Sequence, residues 1–242
     1  MDKVSFGFEE VSPEEKTRRV GAVFSSVARR YDLMNDLMSA GLHRPWKDLF
    51  VRRIRPRRGE AILDMAGGTG DVAFRLARSG ARVTVADINP VMLEVGRARA
   101  RKRGIEGLDW RQENAEALSF GNAAFHAYTI AFGIRNVTDI EAALREAHRV
   151  LKTGGRFYCL EFSTTRWPGF AGLYDAYSMH VVPRIGRAVA RDEESYRYLV
   201  ESIRRFPSTE KFAAMIARAG FARVGAEPIL GGLVAIHSGW KV

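Results

Sequence analysis

The sequence predicts an α/β fold: a mostly parallel, doubly wound sheet of seven strands, closed by an antiparallel C-terminal hairpin, with helices added before it and after its fifth strand. Three observations predict this. Short apolar runs alternate with amphipathic stretches from Glu60 to Phe162, the pattern of βα units that pair in parallel. A glycine-rich bend, Ala66-Gly67-Gly68-Thr69-Gly70, follows the first of those runs directly. Two apolar runs then flank Gly231-Gly232 near the end of the chain, the signal of a hairpin.

Glu14 to Tyr31 reads as an amphipathic helix, because Val20, Val23, Phe24, Val27, Ala28 and Tyr31 recur at helical spacing on one face. Residues 43–55 form a second helix. A strand over 60–64 precedes a helix over 70–79, and Ala81–Ala86 supplies the second strand. Pro90 opens a helix over 90–103, as a proline suits a first helical turn. Residues 107–111 give a weaker third strand, Phe125–Phe132 a fourth, 139–151 a helix and Arg156–Phe162 a fifth strand. A helix over 208–219 leads into Phe221–Ile229 and Leu233–His237. The whole chain, 1–242, is expected to be one domain: an N-terminal helical region (1–58), a cofactor-binding core (59–165), a helical insertion (166–206), and a terminal helix and hairpin (207–242).

A chain of 242 residues, 46% hydrophobic and 27% charged, has ordinary globular composition. No stretch reads as a membrane span, since His126, Thr129 and Gly133 break the apolar run near 123–134. The start, MDKVSFGFEE, lacks a basic and apolar leader, so a cytoplasmic protein beginning at or near Met1 is expected. The single cysteine, Cys159, sits in an apolar strand and reads as a buried core residue. The five histidines are scattered, and no metal site is expected. Net charge is +10, with basic runs at 44–58 and 97–103. Such runs suit an anionic membrane surface or nucleic acid, or are solvated helix faces.

In this architecture a ligand binds beyond the carboxyl ends of the strands. Gly67, Gly68 and Gly70 let backbone pass close to it. Gly68-x-Gly70-x-x-Ala73 also fits a dinucleotide fingerprint, with Asp87 as its acidic partner. Asp64, before the glycines, would repel a pyrophosphate but pair with the ammonium of S-adenosylmethionine. Together with the terminal hairpin and the absence of a separate substrate domain, it favours S-adenosyl-L-methionine over a nicotinamide cofactor. Asp87 could accept both ribose hydroxyls, or could cap the following helix. Asn114 and Ala115 could meet the adenine edge, and Thr69 the methionine part.

The parallel sheet with its terminal hairpin resembles the Rossmann-like class I S-adenosylmethionine-dependent methyltransferases. Several segments outside the generic cofactor site resemble, more specifically, the ubiquinone/menaquinone biosynthesis C-methyltransferase family. They include Tyr31-Asp32-Leu33-Met34-Asn35-Asp36, His43-Arg44-Pro45-Trp46-Lys47, Phe132-Gly133-Ile134-Arg135-Asn136-Val137, Leu160-Glu161-Phe162-Ser163, Tyr174-Asp175-Ala176-Tyr177-Ser178 and Ser195-Tyr196-Arg197-Tyr198-Leu199. The resemblance runs from about Lys16 to the C-terminus. It implies C-methylation of a polyprenylated hydroquinol ring, of the 2-polyprenyl-6-methoxy-1,4-benzoquinol or demethylmenaquinol type. It implies that Thr69, Asp87, Asn114 and Ala115 contact the cofactor. The family often carries serine at Ala131, so one hydroxyl contact near the cofactor is missing here, and proline at Thr153, which concerns only a turn. A membrane-resident substrate gives the basic runs a second use, transient docking on the inner face of the membrane. A homodimer or a quinone-synthesis complex is compatible with this reading. No Asn-Pro-Pro-Tyr-type segment follows the fourth strand, so nucleic acid is not the expected substrate.

For the chemistry, Arg135 is the first candidate, because it follows the fourth strand and stays charged. It suits stabilisation of a phenolate or orientation of a water; its alternative is an ion pair with Asp139. Asn136 could hold a ring hydroxyl. Tyr31, with Asp32, Tyr177 and His180, is a weaker candidate for acid–base work. An apolar stretch from Phe170 to Val182 is expected to cover a greasy substrate.

Overall fold

The computed structural model describes residues 3–39, 41–163 and 193–242. Strands β1 (Val4–Phe6) and β2 (Glu9–Val11) form a small hairpin. Helices α1 (Pro13–Val27), α2 (Tyr31–Ser39) and α3 (His43–Ile54) follow. The core runs β3 (Ala61–Met65), α4 (Asp71–Ala77), β4 (Arg82–Asp87), α5 (Pro90–Lys102), β5 (Asp109–Gln112), β6 (Phe125–Ala131), α6 (Ile140–Val150) and β7 (Leu151–Phe162). Helices α7 (Glu193–Arg205) and α8 (Thr209–Arg218) precede the hairpin β8 (Ala222–Ile229) and β9 (Val234–Trp240).

The seven-stranded sheet has the order β5-β4-β3-β6-β7-β9-β8. Pairings from β5 to β7 are parallel, while β9 is antiparallel to both β7 and β8. The expected fold is therefore the observed one. Strand order reverses between β3 and β6, and a crevice opens there at their carboxyl ends. Both faces of the central strands are covered, which explains their unbroken apolar runs: Ile62, Leu63, Val85, Ala127 and Ile130 have no exposed surface.

Three elements depart from expectation. The helix expected over Glu14–Tyr31 ends at Val27, passes through a 3-10 turn at Ala28–Arg30 and restarts at Tyr31. Its apolar spacing continues across the break, so periodicity alone could not place it. The β1–β2 hairpin was not expected, because three-residue strands carry too little pattern. Its turn glycine, Gly7, has φ of 58° and lies against Glu201 of α7, whose carboxylate accepts from Phe8 N at 3.1 Å. The fifth strand begins at Leu151, earlier than Arg156, with an irregularity in its pairing to β6. Thr153 lies in that irregular, exposed start, beside Gly154 at φ 78°.

Helix α7 falls within the expected insertion. It packs on the N-terminal elements: Phe6 stacks on Tyr198 at 4.1 Å between ring centroids, and Ser26 Oγ lies 3.2 Å from Ser195 Oγ. The stretch from Phe170 to Val182, with Tyr177 and His180, lies outside the described residues.

Candidate active site

Two clefts meet at the carboxyl ends of β3, β4 and β6. Tyr31, Ala66 and Phe132 line both, so they form one continuous site. The larger, about 90 Å³, takes Asp87 from β4, Asn114 and Ala115 after β5, and Asn136 after β6. The smaller takes Asp64, Gly67, Thr69 and Ala131, with Lys47 and Asp71 beside them. Gly68 and Gly70 line neither cleft but shape the bend, at φ of 52° and 82°. Gly70 N closes the turn onto Gly67 O at 2.8 Å.

Asp64 is the most telling group. It is 1% exposed, and its Oδ1 accepts from Thr129 Oγ1 at 2.8 Å. That contact follows from register, because Asp64 and Thr129 are partners across β3 and β6. Its Oδ2 is buried with no hydrogen-bond partner. A buried carboxylate oxygen without a donor is costly, and loss of solvent raises the Asp64 pKa to about 7. A cationic ligand in the small cleft would remove that cost. Lys47 Nζ, itself buried, reaches Asp71 Oδ2 at 2.9 Å, and Arg75 reaches Asp71 Oδ1 at 2.6 Å. Burial opposes ionisation of Asp71, but these two cations outweigh it and hold the carboxyl well below its usual range.

Gly67 leaves no room for a side chain. A Cβ there would lie 2.7 Å from Val85 Cγ1 and 2.9 Å from Asp64 O. Gly67→Ala should therefore destabilise the protein by about 1–3 kcal/mol, the cost of overpacking, and displace Asp64. Thermal unfolding measures the first effect, and cofactor titration of the folded fraction the second.

Asp87 is buried and accepts from Gly68 N and Asn89 N, both at 2.9 Å. It does not cap α5. Asn89 does, its Oδ1 accepting from Val91 N at 2.9 Å and Met92 N at 3.3 Å. Burial pushes Asp87 up to about 6 against these backbone donors. Asn114 Oδ1 accepts from Glu116 N at 3.0 Å, which fixes the 114–116 turn at the cleft wall. Thr69 Oγ1 accepts from Arg99 Nη1 at 2.6 Å, and Arg99 Nη2 bonds Asp32 Oδ2 at 2.8 Å. Asp32 is thus engaged with the glycine bend, an arrangement that sequence could not reveal.

Helix α1 roofs the larger cleft through Thr17, Val20, Gly21 and Phe24. It is fastened by polar contacts. Lys16 Nζ donates to Val137 O at 2.9 Å, and Thr17 Oγ1 lies 3.3 Å from Thr138 Oγ1. Asn89 Nδ2 donates to Gly21 O and Ser25 Oγ, both at 3.0 Å.

Arg135 lies behind the cleft wall. Its side chain is 3% exposed and pairs with Glu161, which is fully buried, at 2.6 Å. It also donates to Phe132 O at 2.8 Å and Ser202 Oγ of α7 at 3.3 Å. The alternative ion pair with Asp139 is not formed. Asp139 instead caps α6, accepting from Ala142 N at 2.9 Å, and lies 4.0 Å from Arg145. Burial raises the Glu161 pKa, and Arg135 opposes that rise. Asn136 Oδ1 accepts from Tyr198 OH at 3.1 Å, while Asn136 Nδ2 is buried with no partner. Loss of solvent raises the Tyr31 pKa to about 12 despite the Arg135 charge. At neutral pH its hydroxyl is therefore a hydrogen-bond donor and a poor base.

The loops that carry these groups interlock. Ala66 and Phe132 follow β3 and β6 in left-handed backbone conformation, at φ of 51° and 57°. A Cβ on Gly133 would lie 2.5 Å from Ala66 Cβ. Strained non-glycine backbone at paired strand ends fits a site whose geometry is over-determined by its surroundings. Among the described residues no cluster of metal-ligating side chains is present.

Solved structures with this fold include a SAM-dependent methyltransferase of Thermotoga maritima, a possible histamine N-methyltransferase. It is 20% identical, with a TM-score of 0.64 over 91% of this chain and 99% of that one. Another is Haemonchus contortus phosphoethanolamine N-methyltransferase 2 in complex with S-adenosyl-L-methionine, 14% identical, with a TM-score of 0.60 over 81% of this chain and 52% of that one. Curated relatives are much nearer. The ubiquinone/menaquinone biosynthesis C-methyltransferase UbiE of Zymomonas mobilis is 68% identical over the full length of both chains. The mitochondrial 2-methoxy-6-polyprenyl-1,4-benzoquinol methylase of Oryza sativa is 56% identical over 98% of this chain and 88% of that protein. With residues 12–241 matching the family model, from the roofing helix to the last strand of the sheet, this chain belongs to the ubiE/COQ5 methyltransferase family.

Proposed function

We propose that this chain methylates a ring carbon of a polyprenylated hydroquinol in ubiquinone or menaquinone synthesis, with S-adenosyl-L-methionine as donor. The observation that carries the donor assignment is the buried, unpartnered Oδ2 of Asp64 beside the glycine bend. It suits an ammonium group, as the methionine end of the donor would present. Lys47 and Thr69 stand in the same cleft for the carboxylate. Asp87 retains lone pairs for ribose hydroxyls, and the Asn114-Ala115 turn suits the adenine edge. Ala131 contributes only a methyl group to the smaller cleft.

When bound, the donor supplies an electrophilic methyl on a sulfonium. The protein must hold a ring carbon at near-attack distance, roughly 3–3.5 Å, from it. A phenol ionises near pKa ~10, so the ring hydroxyl needs help. Asn136 Nδ2, an unused donor at the larger cleft, suits the oxygen of that hydroxyl as charge develops on it. Tyr31 OH can add a second hydrogen bond. We assign Arg135 a positioning role: through Phe132 O and the Glu161 pair it fixes the turn that presents Asn136. The donor would supply the methyl group, its sulfur keeping the bonding pair, and the ring carbon that accepts the methyl would then lose its proton to a base or water. The basic runs at 44–58 and 97–103 suit transient docking on anionic lipid, where a prenylated substrate resides. No helix among the described residues is long and apolar enough to cross a membrane.

The direct test is methyl transfer from labelled donor to a demethylated prenyl-hydroquinol by the purified protein. Its companion is quinone profiling of a deletion strain. Accumulated demethylated quinone is expected, and normal quinone in that strain would refute the proposal.

Donor affinity should also depend on pH. Asp64 is raised to about 7 in the ligand-free protein, and only its ionised form pairs with an ammonium. Affinity should therefore rise as pH increases through about 7 and fall up to about tenfold per unit below it. Calorimetric titration between pH 5 and 7.5 measures this, and a flat profile would show that Asp64 is not the ammonium partner.

A further inference from the structure

Phe6, in the N-terminal hairpin, is buried, and its ring stacks on Tyr198 of α7 with centroids 4.1 Å apart and planes 14° from parallel. Arg19 Cζ lies over the same Phe6 ring at 5.2 Å. The hairpin is latched to α7 at a second point, where Phe8 N donates to Glu201 Oε2 at 3.1 Å. Tyr198, Glu201 and Ser202 stand at i, i+3 and i+4, so one face of α7 carries all three. That face bridges two elements far apart in sequence. Its Tyr198 ring and Glu201 meet the hairpin, while Tyr198 OH and Ser202 Oγ meet Asn136 and Arg135 of the 134–136 turn.

The direction of the Tyr198–Asn136 bond follows from protonation. Tyr198 is buried, and lost hydration raises the pKa of its hydroxyl although Arg135 opposes the rise. The hydroxyl keeps its proton at neutral pH, and Asn136 Oδ1, at 3.1 Å, is the acceptor it has among the described residues. An amide turned the other way would set Nδ2 against the phenol oxygen and leave the phenol proton without an acceptor, which is costly in a buried setting. Tyr198 therefore fixes which end of the Asn136 amide is held at α7. Asn136 itself lines the larger cleft. The stacked Phe6 ring in turn limits how far the Tyr198 ring can tilt.

We propose that Phe6 and Tyr198 are positioning residues for methyl transfer, the hairpin holding the Tyr198 ring and the Tyr198 hydroxyl holding the Asn136 amide in its working orientation. Neither residue lines the clefts, so they set turnover and not donor affinity. The effect on turnover rests on the methyl-transfer reading; the coupling of Phe6 to Asn136 does not.

Two measurements on the full chain test this. In the first, turnover of a demethylated prenyl-hydroquinol is compared with donor affinity from calorimetry. Tyr198→Phe keeps the stacked ring and removes the hydroxyl. Phe6→Leu keeps an apolar side chain and removes the ring, and Tm shows that each variant is folded. Each should lower kcat about tenfold, part of the roughly 100-fold lost when a donor to a developing oxyanion is removed outright, with the donor Kd unchanged. Because both act along one path, the double variant should lose no more than either alone. Phe6→Tyr restores a ring and should restore kcat, and Glu10→Gln, exposed on the same hairpin, should leave kcat unchanged. The second measurement needs no turnover. The Asn136 side-chain amide signals, recognised in heteronuclear magnetic resonance spectra by their loss in Asn136→Asp, should shift in Tyr198→Phe and in Phe6→Leu, and no further in the double variant. Losses in kcat that multiply in the double variant, a weaker donor Kd in place of a lower kcat, or Asn136 signals that ignore Phe6→Leu would overturn the proposal. An unmodified chain that transfers no methyl group would sink the methyl-transfer reading alone, and the Asn136 signals would then decide the coupling.

Discussion

Asp64→Asn should lose donor binding almost completely while leaving the fold intact. The substitution keeps a side chain that can bond Thr129 Oγ1, but removes the charge that the ammonium needs. Truncating one partner of a desolvated, charge-assisted contact costs about 3 kcal/mol, which is about 100-fold in affinity. The ligand-free protein should respond in the opposite direction. A buried carboxyl at pKa about 7 is partly ionised at neutral pH with one oxygen unpaired, so a neutral amide there should leave Tm unchanged or slightly raised. Differential scanning with and without donor reads both effects: the ligand-induced rise in Tm disappears, while the ligand-free Tm holds. A variant that still binds the donor within a few fold would place the ammonium elsewhere.

Glu161→Gln should cause the largest loss of stability. It leaves Arg135 charged, 3% exposed, and without its counter-ion. Breaking a buried pair in this way costs about 3–5 kcal/mol, and for a domain of this size that lowers Tm by about 10 °C. The double variant Arg135→Met/Glu161→Met should recover most of that stability, because a well-packed apolar pair avoids the desolvation penalty altogether. If Arg135 positions Asn136 as proposed, the double variant should still fold and bind donor, yet turn over slowly, with the loss in kcat and not in donor affinity. Normal turnover in a stable double variant would reduce the pair to a structural element.

The order of strands and helices was legible because each carries a repeating apolar pattern and a local stop signal. Pro90 at the start of α5 and Gly231-Gly232 between β8 and β9 are examples. The glycine bend, Asp64 and Asp87 were legible because they lie within a short span of sequence, and so was the placement of Asn114, Ala115 and Asn136 at one cleft beyond the strand ends. What sequence could not supply are contacts set by register and packing. Thr129 meets Asp64 from 65 positions away, Glu161 neutralises Arg135 across 26, and Lys47 reaches Asp71 across 24. An ion pair with Asp139, one turn on, was the alternative that sequence spacing offered for Arg135. A short 3-10 turn, Ile134–Asn136, separates it from α6, so the two side chains do not share a helix face. The reactivity of Tyr31 was equally hidden, because lost hydration is the main cause that raises the pKa of its hydroxyl.

The fastening of α1 over the larger cleft bears on how each catalytic cycle ends. The opposite side of that cleft is the sheet itself, which cannot part without breaking its ladder. Helix α1, by contrast, has no ladder: it is held by the burial of Val20, Val23 and Val27 and by polar ties from Lys16, Thr17 and Asn89. Donor should therefore exchange on the α1 side of the cleft, and loosening the Lys16 or Asn89 ties should speed its release, which stopped-flow displacement would measure.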